Sequence, residues 1–191
     1  GYSMGGFGAL MLPVRHLDVF SVSVPLSISV RTDEQYMFED ASEWNDQWGR
    51  LFGGVGKVGT ERITDYYKQY SPFHYFNSGN AKSFLGLRLF IDNGDDEHTL
   101  CRSNEELHIL LRDLEIPHQY RVRDGGHEFS YWRDALPNAL QFISDSFEGK
   151  PYRGDIVEST KRSKYPKVKI LEKENFSVVL PPGYAEASRK Y

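Results

Sequence analysis

Three groups of residues in this 191-residue chain are of the right types to do chemistry together. Gly1-Tyr2-Ser3-Met4-Gly5 fits G-x-S-x-G, in which glycines on both sides of the serine let the backbone turn so sharply that the hydroxyl stands clear. The amide of the next residue, Met4, then points where an oxyanion would form. By itself the pentapeptide also reads as a glycine-rich turn with a solvated serine. His127, in Gly125-Gly126-His127-Glu128-Phe129, falls on a turn between an expected strand and an expected helix, where a general base is useful. The other histidines are worse placed: His16, His108 and His118 lie in or beside regular elements, His74 lies in an irregular stretch, and His98 follows an acidic turn. That turn, Asp95-Asp96-Glu97, offers a carboxylate that could hold the imidazole tautomer and stabilise the imidazolium. An acidic turn is usually just solvated, so its weight comes from the chain order of nucleophile, acid and base. The chemistry implied is acyl transfer to water through an activated serine.

Such a site needs strands to carry it. The glycine-rich turn should run into a helix ending near Pro13 or His16. Val19 to Leu26 alternates apolar residues at Val22, Val24 and Leu26, as in a sheet strand. From Ser29 to about Phe76 the pattern breaks into polar, aromatic-rich pieces, expected to be short helices in a lid-like insertion at 29–76. Leu85 to Asp92 reads as a strand ending in the turn Asn93-Gly94-Asp95-Asp96, and Asn104 to Leu114 as a helix with Leu107, Leu110, Leu111 and Leu114 on one face. Pro117 to Val122 is a further strand, and Tyr131 to Phe147 a closing helix striped by Ala135, Leu136, Ala139, Leu140 and Ile143. Strand and helix in alternation predict an α/β fold with a mostly parallel sheet. Beyond 148 the chain changes character: basic residues interleave with apolar ones from Lys161 to Lys173, as on the solvated face of a strand or in a linker. A strand over Phe176 to Leu180 and the turn Pro181-Pro182-Gly183-Tyr184 follow.

Composition narrows the function classes. With 39% hydrophobic residues the chain can bury one substantial core, and a net charge of −4 gives no reason to expect nucleic acid or an anionic membrane surface as partner. No apolar run is long enough to span a bilayer. The single cysteine, Cys101, excludes a disulfide framework and a cysteine zinc site, and leaves the redox compartment open. No cofactor and no metal are implied. Gly53 to Thr60 is rich in glycine but lacks the P-loop spacing and follows a polar segment instead of a strand. Trp44 and Trp48, four residues apart, would share one side of a helix; they are candidate substrate contacts that could stack a sugar or aryl ring, although packing a lid on the core is the commoner use of such a pair.

Gly1-Tyr2-Ser3-Met4-Gly5-Gly6, Ile91-Asp92-Asn93-Gly94-Asp95-Asp96-Glu97, and the run from Tyr120 to Trp132 together resemble the esterase D family of serine esterases. That family includes S-formylglutathione hydrolases, feruloyl and acetyl-xylan esterases, enterochelin-esterase-like proteins and mycolyltransferases. The resemblance covers roughly residues 1–147. It implies the α/β-hydrolase fold, with helices on both faces of the sheet, Ser3 as nucleophile, His127 as base and the Met4 amide in the oxyanion hole. Relatives usually carry Asp three residues after the glycine of the acidic turn; here that position is Glu97, which is preferred as the acid, with Asp96 the alternative. The implied substrate is an acyl ester, acetyl or feruloyl on a carbohydrate, or a small thioester. An acyltransferase would show the same three residues, and a catalytically silent module gripping a carbohydrate or a partner is the rival reading.

Residues 174–191 resemble the beginning of the same family's catalytic domain, yet they lie after its end. The chain is therefore expected to be circularly permuted, part of a tandem protein, or a fragment. In each case the central strands and the His-Gly loop that supplies the second oxyanion donor fall outside it, and a complementing segment or second copy of the chain is expected.

Overall fold

Hydrophobic alternation builds the sheet around one strand. The computed structural model describes residues 1–152, 154, 169–173 and 176–180. It divides into two units, Gly1–Val157 and Glu158–Tyr191. In the first unit β1 (Val22–Ser23), β2 (Arg88–Gly94) and β3 (Gln119–Arg123) form a parallel sheet in that order. Leu26 adds parallel bridges to Tyr2 on one side and Asp92 on the other, so the turn bearing Ser3 sits beside the strand end leading to the acidic turn. The ladder expected over Val19–Leu26 is shorter than its pattern suggests. Pro25 has no N–H to give the sheet, so pairing lapses between Ser23 and Leu26.

Side chains of β2 point alternately to two cores. Leu89 and Ile91 pack with Leu10, Met11 and Val14 of α1 (Met4–Arg15), and with Leu107 and Leu111 of the long helix at Thr99–Asp113. Phe90 packs on the other face with Tyr131, Trp132, Ala135 and Ala139 of the helix at Phe129–Phe147. Each of the buried Leu, Ile, Val, Met and Phe side chains contributes about 1.5–3 kcal/mol on burial. Helices therefore cover both faces, as expected. Pro13 interrupts α1 at little cost: its missing N–H would have paired with the Ala9 carbonyl, which instead accepts the Ser23 hydroxyl at 2.7 Å.

The insertion is a set of short helices: α2 (Asp33–Phe38), α3 (Ala41–Glu43), a π-helical turn at Trp44–Trp48, α4 (Gly49–Phe52), a 3₁₀ turn at Gly59–Arg62, α5 (Asp65–Tyr70) and α6 (Pro72–Tyr75). The helices at Thr99–Asp113 and Phe129–Phe147 are α7 and α8. A capping box starts α2, with the Thr32 hydroxyl accepting from the Gln35 amide and the Gln35 side chain accepting from Thr32. The insertion has its own core of Tyr36, Trp44, Trp48, Phe52 and Tyr67. This corrects the expectation for Trp44 as a substrate contact: the residue is 0% exposed, its indole N–H donates to the Gly54 carbonyl at 2.7 Å, and the Arg62 guanidinium covers its ring at 4.8 Å. No face of Trp44 is left for a ligand.

In the second unit β4 (Lys169–Lys173) and β5 (Phe176–Leu180) pair antiparallel, with Lys169 opposite Leu180 and Lys173 opposite Phe176. The strand expected at Phe176 is there. Residues 161–168 of the basic stretch and the turn at 181–184 lie outside the described residues.

Candidate active site

Ser3 stands at the start of α1 with φ 55° and ψ −125°, a conformation that costs a non-glycine residue on the order of 1–3 kcal/mol. Its amide donates to the Leu26 carbonyl at 3.0 Å and its own carbonyl accepts from Ser29 and Phe7, so the turn is held from both sides. A Cβ on Gly1 would meet the Gly5 carbonyl oxygen at 2.3 Å, and one on Gly6 would meet that of Leu26 at 2.6 Å. A Cβ on Gly5 would meet nothing within 4 Å among the described residues. The G-x-S-x-G pattern points to glycines 1 and 5 as those that make the turn, whereas the close approach is at positions 1 and 6.

His127 reaches Ser3 from the loop between β3 and α8. Its Nε2 lies 2.9 Å from Ser3 Oγ, and its Nδ1 lies 3.1 Å from Glu97 Oε2. The Glu97 carboxylate is fully buried, and its other oxygen accepts from the Gly94 amide at 2.8 Å and from the Ser27 hydroxyl. Asp96, the alternative acid, is exposed; it contributes its amide, which donates to the Gly125 carbonyl at 3.0 Å. Asp95 binds the same turn through its carboxylate, which accepts from the Gly125 amide at 3.1 Å. These two acids tie the loop of Glu97 to the loop of His127. Together with Asp124 they are also the one grouping with metal-ligand spacing among the described residues, fully on the surface.

Trp132 supports the centre from below. Its ring meets the edge of His127 at 4.9 Å and 87°, stacks on Tyr2 at 4.3 Å, and its indole N–H donates to Ser27 Oγ at 2.8 Å. Ser27 and Trp132 were given no role in the sequence reading, because residues 70 and 105 positions from their partners reveal contact only once folded. Beneath them Asp92 accepts from the Tyr131 hydroxyl at 2.6 Å and faces Arg123 at 2.8 Å. Burial pushes the Asp92 carboxyl above its usual range, against the opposing pull of Tyr131 and Arg123.

The Met4 N–H opens α1 and has no acceptor within the helix, where the helix dipole favours negative charge. The Met4 side chain, 64% exposed, forms one wall of a cleft of about 450 Å³, lined further by Asp46, Gln47, Trp48, Arg50 and Leu51. Trp48 thus borders the cleft, although it is buried.

Residues 1–143 match the Esterase family, described as "Putative esterase". The chain belongs to this family. Among solved structures it is similar to a ferulic acid esterase at 29% identity and a TM-score of 0.53, covering 75% of this chain and 49% of that one. It is likewise similar to fluorophosphonate-binding serine hydrolase F of Staphylococcus aureus, solved with substrate bound, at 25% identity and 0.56, over 75% and 52%. The S-formylglutathione hydrolase of the same organism, at 20% identity and 0.51 over 75% and 52%, shares the fold. No curated protein matches. The fold is that of α/β-hydrolase esterases, and the chain spans about half the length of these structures.

Proposed function

We propose that the chain carries the nucleophile, base and acid of a serine carboxylesterase. The observation behind this reading is the continuous path from Ser3 Oγ to His127 Nε2 at 2.9 Å and from His127 Nδ1 to Glu97 at 3.1 Å, on a serine held at φ 55°. His127 takes the Ser3 proton as Oγ bonds to the ester carbonyl carbon. The carbonyl oxygen becomes an oxyanion facing the Met4 N–H. On collapse the C–O bond to the alcohol breaks and His127 protonates the departing oxygen. Water then repeats the sequence on the acyl-enzyme and releases the acid. Glu97 keeps the imidazole in the tautomer with its proton on Nδ1.

Acetyl or feruloyl esters on a carbohydrate are the leading substrate class, supported by the similarity to a ferulic acid esterase, with small thioesters next. A silent module gripping a carbohydrate through the aromatic insertion could not use Trp44, which is enclosed in the insertion's own core. Hydrolysis of methyl ferulate and of an acetylated xylo-oligosaccharide tests the proposal. Turnover abolished by Ser3→Ala supports it. Turnover that survives Ser3→Ala overturns it.

A further inference from the structure

The buried side of Glu97 carries an arrangement that the three reacting residues do not use. Ser27 is 0% exposed and sits just past the Leu26 bridge, at φ 47°. Its hydroxyl donates to Glu97 Oε1 and accepts the Trp132 indole N–H at 2.8 Å.

The direction of these bonds is forced. An indole N–H can only donate, so the Ser27 oxygen is the acceptor there and its own proton is directed to Glu97. Oε1 then receives both Ser27 and the Gly94 amide, and a carboxylate pinned at one oxygen presents the other at a fixed angle. That other oxygen, Oε2, faces His127 Nδ1. An imidazole whose Nδ1 must donate keeps its lone pair on Nε2, toward Ser3. Donors therefore converge on Glu97 from both sides, Trp132 through Ser27 at Oε1 and His127 Nδ1 at Oε2.

We propose that Ser27, oriented by Trp132, is a positioning residue that sets the His127 tautomer through Glu97. The proposal rests on the triad reading above. It explains why a serine occupies a left-handed backbone position that glycine would take at no cost: glycine has no hydroxyl to place between indole and carboxylate. It also gives Trp132 a function beyond its packing on Tyr2 and His127.

The test is the nitrogen NMR spectrum of the imidazoles in the full chain, with the His127 signals assigned by their absence in His127→Gln. The wild type should show neutral His127 almost wholly protonated on Nδ1. In Ser27→Ala and in Ser27→Gly, which relieves the positive φ and so guards against a folding defect, the Nδ1-protonated share should fall toward the mixture of free imidazole. Trp132→Phe should lower it less, and adding Trp132→Phe to Ser27→Ala should change nothing further, because the indole N–H acts only through the hydroxyl while phenylalanine keeps a ring beside His127. A folded Ser27→Gly with the wild-type tautomer overturns the proposal, as does a Trp132→Phe effect that persists without Ser27. Labelling of the wild type at Ser3 by a fluorophosphonate is read in parallel. Labelling with an unmoved tautomer defeats the positioning role alone, whereas a tautomer that moves in an unlabelled protein defeats the esterase reading alone.

Discussion

Gly94 and Gly125 approach so closely that a Cβ on Gly94 would lie 2.1 Å from the Gly125 carbonyl oxygen. Gly94 ends the strand before Glu97, and Gly125 begins the turn before His127, so this contact sets the separation of the two loops. Gly94→Ala must push the two loops apart, at a cost of about 1–3 kcal/mol in stability. It should also lower ester hydrolysis, since a displacement of ~1 Å at the reacting groups can cost about 10²-fold. Gly126→Ala is the control, because among the described residues its Cβ would meet only the Asp96 carbonyl oxygen, at 3.9 Å. Urea unfolding and turnover of the two variants check the contrast.

Glu97 and Asp96 are separated by substitution. Glu97→Gln keeps the shape but can present its amide N–H₂ to His127, favouring the wrong tautomer, and turnover should fall by on the order of 10⁴. Asp96→Asn leaves the backbone bond to Gly125 in place and should leave kcat unchanged. Equal losses in the two variants would contradict the assignment of the acid.

Trp44 is a structural residue of the insertion. Trp44→Phe removes one of two donors to the Gly54 carbonyl, which keeps the Lys57 amide at 3.0 Å, and should cost about 0.5–1.5 kcal/mol of stability. KM for a feruloyl ester should not move. A raised KM with unchanged unfolding would restore Trp44 as a substrate contact.

Asp92 gives stability a pH dependence of known sign. Burial raises its folded-state value above the ordinary 3.8, so the folded protein holds the proton more tightly than the unfolded chain. Its contribution is therefore present at low pH and is lost as pH rises above about 4 toward the raised folded value. Asp92→Asn removes that slope. The stability of wild type relative to Asp92→Asn, measured by urea unfolding, should decline as pH rises from 4.

The sequence exposes the candidate residues because each lies in a short turn whose chemistry is local. Ser3 follows a glycine turn, Glu97 follows an acidic turn and His127 follows two glycines. The three large helices were legible for the same kind of reason, since their apolar stripes repeat along the chain, although α7 begins at Thr99, ahead of the first leucine of the stripe. What the sequence hid depends on contacts between distant segments. The i, i+4 spacing of Trp44 and Trp48 places them on one side of a turn but does not say whether that side meets a ligand or Tyr36 and Tyr67. Ser27 falls between the strand expected over Val19–Leu26 and the insertion at 29–76, with no signal of its own, and only the fold brings it between Trp132 and Glu97.

The central claim, an activated nucleophile at Ser3, is tested most directly by treating the chain with a fluorophosphonate probe and locating the adduct by peptide mass spectrometry. An adduct on Ser3 that disappears in both Ser3→Ala and His127→Gln is the predicted result. A folded protein that stays unlabelled at Ser3 would contradict the account.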